Sequence, residues 1–143
     1  MKAFLDTNVL VYAVDRTDAA KNAKAVSIVQ AALRNHQGYA ISVQTLTEFA
    51  NVSLRKLSLP PDAVLDFLRA FRAIETVVPD NELVSRGVEI KALYGIQFYD
   101  AMMVAAAERT EAGEIWSEDL NDGQRYAGVL ARNPFLAKQR KRQ

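Results

Sequence analysis

Short apolar runs alternate with longer amphipathic stretches along this chain. AFL near Ala3, YAIS near Tyr39, TVV at Thr76, EIWS at Glu114 and GVLA at Gly128 read as strands. Between them, residues 23–35, 44–56, 63–75, 81–94 and 99–111 repeat apolar positions at helical spacing. Val64, Leu68 and Phe71 illustrate the i, i+4, i+7 stripe that a helix turns towards a core. Pro60 and Pro61 mark a helix break, and Gly95 and Gly113 stand where helix C-terminal caps are expected. Strands that take turns with helices predict a parallel sheet with crossover helices, hence an α/β fold.

Length and composition narrow the class. The 143 residues fit one domain, expected over residues 1–137 and followed by a short basic tail, 138–143, expected to be disordered. No apolar run approaches the roughly 18 residues of a membrane span, and the N-terminus lacks a secretory pattern, so a cytoplasmic, non-membrane protein is expected. The absence of cysteine excludes disulfides, thiolate metal sites and cysteine nucleophiles. The lone histidine, His36, lies in RNHQG, a helix end followed by a turn, and supports neither a triad nor a zinc site. Net charge is +1, but Lys138, Arg140, Lys141 and Arg142 of the tail supply four positive charges, leaving 14 Lys and Arg against 17 Asp and Glu in the rest.

The acids carry the chemistry. Asp6 follows the first strand directly in FLDTNVLVYAV, Glu48 lies about two turns past the second in ISVQTLTEF, Asp100 opens a helix in YDAMMVAAAER, and Asp119 follows EIWS. Each has a local explanation. Asp6 can cap the next helix, Thr45 and Glu48 match a capping box, Asp100 can complement a helix dipole, and SEDLNDG is rich in turn formers. Ligands of open parallel sheets bind outside the carboxyl ends of the strands. Four acids brought to that one edge would repel one another and call for a cation among them.

FLDTNVLVY, TEF, YDAMMVAAA and WSEDL together resemble the four acidic motifs of PIN-domain nucleases, in particular the VapC-type toxins of bacterial toxin–antitoxin pairs. The resemblance spans nearly the whole chain in order and spacing. It implies a three-layer α/β/α sandwich around a parallel sheet of about five strands, Mg²⁺ or Mn²⁺ dependence, ribonuclease activity, dimerisation and a cognate antitoxin. Position by position, Asp6, Glu48, Asp100 and Asp119 take the catalytic, metal-ligating places, and Asn8 and Ser117 the supporting ones. Many relatives carry a further acid two residues after the fourth; here that place is Asn121, and Asp122 beside it is the candidate replacement.

On this reading a cation activates water against an RNA phosphodiester, with Asp6, Asp100 and Asp119 as ligands and Glu48 as a ligand through water or the orienter of the attacking hydroxide. Candidate RNA-binding cations are Arg16, Lys21, Lys24, Arg55, Lys56 and the tail. Phe67 lies off the Val64, Leu68, Phe71 stripe, an apolar surplus that suggests a homodimer surface. Two rivals stand beside the nuclease. One is a haloacid-dehalogenase-like phosphohydrolase, which expects a second Asp where this chain has Asn8. The other is a catalytically silent RNA- or protein-binding module of the same fold.

Overall fold

A computed structural model describes residues 1–136. The expected tail, 138–143, lies outside the described residues. The elements run β1 (Ala3–Leu5), α1 (Thr7–Tyr12), α2 (Ala19–Arg34), β2 (Tyr39–Ser42), α3 (Val43–Arg55), α4 (Pro61–Phe71), β3 (Glu75–Val77), α5 (Asn81–Tyr94), α6 (Phe98–Arg109), β4 (Glu114–Trp116), β5 (Arg125–Tyr126) and β6 (Val129–Arg132).

One sheet joins the strands in the order β3-β2-β1-β4-β6-β5. Its first five members pair parallel, as the alternation of strands and helices predicts. The sixth, β5, is antiparallel to β6 and closes one edge as a hairpin, so the sheet is mixed and one strand larger than expected. Successive strand residues point to opposite faces. Phe4, Ala40 and Ile115 therefore join one buried cluster with α5 and α6, while their neighbours Leu5, Ile41 and Trp116 join a second with α1 to α4. This is the helix–sheet–helix layering implied by the resemblance.

Local chemistry sets the helix ends. Ser42, the last residue of β2, caps α3 by accepting from Thr45 N at 3.2 Å, and Thr45 Oγ1 accepts from Ser42 N at 3.3 Å. The capping box is thus Ser42 with Thr45 rather than Thr45 with Glu48, which leaves Glu48 free of the helix end. Asp80 caps α5, and Arg109 grips its carboxylate with two hydrogen bonds of 2.9 and 3.1 Å. Gly95 ends α5 in the left-handed region at φ 69°, where a glycine costs least. At the end of α6 the positive φ, 60°, falls on Glu111 instead of Gly113. Helix α6 is buried continuously from Ala101 to Ala107, and its contact with α5 is close enough that a Cβ on Gly87 would stand 2.6 Å from Met102 Sδ. His36 is exposed in the turn after α2.

Strand order decides where a ligand fits. β1 leads to β2 on one side of it and is flanked by β4 on the other, so connections leave in opposite directions and open a crevice beyond the carboxyl ends of β1 and β4. Asp6 and Ser117 are the first residues past those two ends.

Candidate active site

Asp6 is both cap and wall. Its backbone N donates to Trp116 O at 3.0 Å, extending the β1–β4 ladder by one rung. Its backbone then turns into α1, and Oδ1 accepts from Thr7 N at 2.6 Å. Oδ2 faces the crevice, where Ser117 Oγ donates to it at 2.6 Å and Asn8 Nδ2 approaches at 3.5 Å. The residue is 4% exposed.

Three carboxylates converge here. Asp6, Asp100 and Asp119 each offer an oxygen, and the three atoms lie within 4.8 Å of one another. Asp100 arrives from the first turn of α6, whose cap is the Gln97 side chain, accepting from Tyr99 N at 2.9 Å and Asp100 N at 3.2 Å. With its backbone satisfied by Gln97, the Asp100 side chain is free to face the acids. Asp119 lies in the loop after β4; its N donates to Ser117 Oγ at 3.0 Å and its Oδ2 accepts from Asn8 Nδ2 at 3.3 Å. Ser117 and Asn8 therefore each touch Asp6 and the Asp119 residue, fixing their relative position. Glu48, on α3, lines the same cavity, with Oε1 accepting from Thr7 Oγ1 at 2.6 Å. It stands outside the set of three.

The electrostatics are unfavourable without a cation. Burial raises the Asp6 carboxyl from 3.8 to about 7, against the lowering effect of the Ser117 and Thr7 hydrogen bonds and with the charges of Asp119 and Asp100 adding to the rise. Asp100 is also held above the ordinary carboxylate range, first by burial and then by Asp119 and Glu48. Among the described residues no Lys or Arg forms an ion pair with Asp6, Glu48, Asp100 or Asp119. The donor set is oxygen only, clustered and anionic, and the Asn8 Oδ1 beside it is buried without a partner. These residues fit a small, hard divalent cation.

The acids stand in a cavity of about 640 Å³ that runs between α1, α3 and the start of α6. Asp122 has another contact: its Oδ1 accepts from Asn133 N at 2.8 Å, pinning the loop after β6, and it is not among the three clustered acids. Asn121 Nδ2 donates to Gln124 within the same turn. Lys21, a candidate RNA-binding cation, pairs with Glu118 at 2.9 Å, and Tyr12 Oη donates to the other oxygen of that carboxylate at 2.6 Å. This clamp ties α1 and α2 to the residue preceding Asp119. Sequence reasoning missed Thr7, Gln97 and Tyr99; the dyad TN after Asp6 and the YD pair were visible, but which carboxylate each neighbour serves depends on the fold.

The sequence matches the PIN domain over residues 3–127. The chain belongs to the PIN-domain family. No curated protein matches it significantly. A toxin–antitoxin complex from Klebsiella pneumoniae contains a chain of the same fold, with TM-score 0.69 and 21% identity over 93% of this chain and 98% of that one. The DNA-bound VapBC of Salmonella typhimurium gives 0.67 and 20% over 94% and 98%. VapC20 of Mycobacterium tuberculosis, described as a sarcin-ricin loop cleaving toxin, gives 0.66 and 16% over 82% and 90%. At these identities the likeness carries the fold. Membership of the PIN-domain family decides against the haloacid-dehalogenase-like alternative. No helix among the described residues is long and apolar enough to cross a membrane.

Proposed function

We propose that this PIN-domain protein is a metal-dependent endoribonuclease and the toxin of a type II toxin–antitoxin pair. The observation that carries the reading is the convergence of buried Asp6, half-buried Asp100 and exposed Asp119 at the carboxyl edge of the sheet, with no Lys or Arg among the described residues paired to any of them. Asp6, Asp100 and Asp119 would hold Mg²⁺ or Mn²⁺. When bound, the ion supplies charge against the scissile phosphate and acidifies a water. Ser117 and Asn8 hold the carboxylates in place, so little reorganisation is needed when substrate arrives. Thr7 occupies one oxygen of Glu48 and leaves the other to orient the attacking water and accept its proton. The water oxygen would bond to phosphorus as the bond to the leaving ribose oxygen breaks, and that oxygen would take a proton from solvent to leave as a hydroxyl.

The partners follow from the same charge. A short antitoxin with a basic side chain would neutralise the acids in place of the ion, consistent with neighbours solved as toxin–antitoxin complexes. A second copy of the chain is the other proposed partner. Phe67 is 36% exposed and stacks on Phe71, with Phe49 at its edge, so the aromatic surplus of α4 is partly absorbed by the chain itself and Leu65 remains outside. Light scattering at micromolar protein tests the dimer, and a monomeric mass rejects it.

Incubating cellular RNA with the wild type and Asp100→Asn in Mn²⁺ and in EDTA tests the activity. Cleavage is expected only for wild type with metal. Intact RNA in every lane, with no metal binding by calorimetry, would favour the silent binding module. The toxin role is checked separately: expression alone should arrest growth, and co-expression of the antitoxin should relieve it.

A further inference from the structure

Tyr99 presents an exposed aromatic side chain at the acid cavity. The residue is 56% exposed, it lines the same cavity as Asp6, Glu48, Asp100 and Asp119, and it immediately precedes Asp100 in the chain. Its backbone is fixed on both sides. Gln97 Oε1 accepts from Tyr99 N at 2.9 Å, and Gln44 Nε2 donates to Tyr99 O at 3.1 Å, joining the first turns of α3 and α6. The Phe98 ring packs against it in a T-shaped arrangement, with a centroid distance of 5.5 Å and an interplanar angle of 67°. The other aromatic ring lining the cavity, Tyr12, is committed: its hydroxyl serves Glu118, and Lys21 stands 4.9 Å from its ring centroid. Among the described residues lining the cavity, Tyr99 alone offers an exposed ring on a fixed backbone beside the acids.

A single cation marks the other end. Among the described residues lining the cavity, Lys56 is the sole Lys or Arg. It follows Glu48 by eight residues along α3, about 12 Å at helical rise. The nearby Asp15 accepts from Thr17 N and Oγ1 at 3.1 and 2.8 Å through one carboxylate oxygen, and although the Lys56 charge helps to lower its pKa, no ion pair among the described residues includes Lys56.

Resting on the ribonuclease reading, we propose that Tyr99 is the platform for an unstacked RNA base beside the scissile phosphate, and that Lys56 holds a phosphate farther along the same strand. A base has a π face whatever its sequence, and aromatic stacking with backbone charge contacts is how proteins hold single strands. A duplex keeps its bases stacked on one another and cannot offer one to Tyr99 without unpairing it.

Fluorescence anisotropy with a labelled single-stranded RNA of mixed sequence tests this, using wild type and Asp6→Asn in Mn²⁺ with cleavage followed in parallel. In each background Tyr99→Ala should weaken binding about tenfold while Tyr99→Phe keeps it. An abasic nucleotide next to the cut should cost the parent about the same factor and cost Tyr99→Ala nothing further. Lys56→Met should weaken binding of every sequence and lower the salt slope by about one. The platform is overturned if Tyr99→Ala binds like its parent, or if it and the abasic substitution act independently. An unchanged salt slope in Lys56→Met overturns the phosphate contact. Cleavage without Tyr99 dependence leaves the nuclease reading standing; Tyr99-dependent binding without cleavage by wild type removes the hydrolytic reading and keeps the platform.

Discussion

Replacing Asp6 with Asn should stabilise the metal-free protein while abolishing hydrolysis. Asp6 is buried, and its carboxyl rises from 3.8 to about 7 on folding. Three pH units correspond to about 4 kcal/mol between the protonated and ionised forms. The sign follows from proton counting. Between pH 4 and pH 7 the folded protein holds a proton at Asp6 that the unfolded chain has lost, so stability falls as pH rises through this window, and the whole cost is present above it. Asp100, raised in the same direction, steepens the fall. Asn carries no charge and keeps an oxygen for Thr7 N. Its NH₂ would replace the Oδ2 that Ser117 and Asn8 now donate to. Ser117 can rotate to accept, and Asn8 can turn its unpartnered Oδ1 towards the new donor. The Ser117 and Thr7 hydrogen bonds are already counted in the shift to about 7, so the net gain is about 4 kcal/mol at pH 8 and vanishes near pH 4.

Urea denaturation in EDTA from pH 4.5 to 8, followed by the fluorescence of Trp116, the single tryptophan, measures this directly. A gain of that size moves the midpoint by about 2 to 3 M urea. Parallel pH profiles for the two proteins would refute the buried-anion argument. Metal supplies the second arm: a ligand binding only the folded state at a hundredfold excess over Kd stabilises it by about 2.7 kcal/mol. Wild type should melt higher in Mn²⁺ than in EDTA, and Asp6→Asn should lose most of that rise. An equal metal response would remove Asp6 from the ligand set.

Thr7→Val removes the hydroxyl that orients Glu48 and should lower kcat about tenfold or more while leaving the Mn²⁺-induced rise in Tm intact. Ser117→Ala takes a donor from the Asp6 carboxylate and pushes its pKa up further. It should therefore cost about 1 to 2 kcal/mol more at pH 8 than at pH 4.5 in metal-free urea melts. Phe49→Ala opens the cluster formed with Phe67 and Phe71 and should cost about 3 to 5 kcal/mol at any pH, separating core packing from site electrostatics in the same assay.

What the sequence made legible depended on repetition. The apolar runs at Ala3, Tyr39 and Glu114 became β1, β2 and β4 with little shift, because strands covered on both faces need unbroken apolar residues. β5 was illegible: Arg125 and Tyr126 are two residues between NDGQ and Ala-Gly, too few to show a period, and they pair only because the turn at Ala127 and Gly128 folds them onto β6. The capping box was misplaced for a similar reason. Thr45 and Glu48 have the right spacing, but β2 runs through Ser42, whose pairing with Val77 puts the helix start there and sends Thr45 into the core. Local spacing names the residues that can cap, and the strand end chooses among them. Lys21 shows the same limit in charge, since nothing in the sequence pairs it with Glu118, 97 residues away.

Asp6 shows why competing local readings need not exclude one another. A carboxylate has two oxygens and about four acceptor sites, and here they divide between helix and crevice. Oδ1 satisfies Thr7 N at the start of α1; Oδ2 receives Ser117 across the β1–β4 boundary, and the carboxylate lies close to those of Asp100 and Asp119. The capping bond fixes the rotamer, and a fixed rotamer is what a metal-binding site requires of its ligands. Asn would cap α1 equally well, so capping alone gives no reason for a buried charge that burial disfavours by several kcal/mol. The charge is explained by its neighbours: two more acids that the strand order brings to the same point, with no protein cation among the described residues paired to any of them.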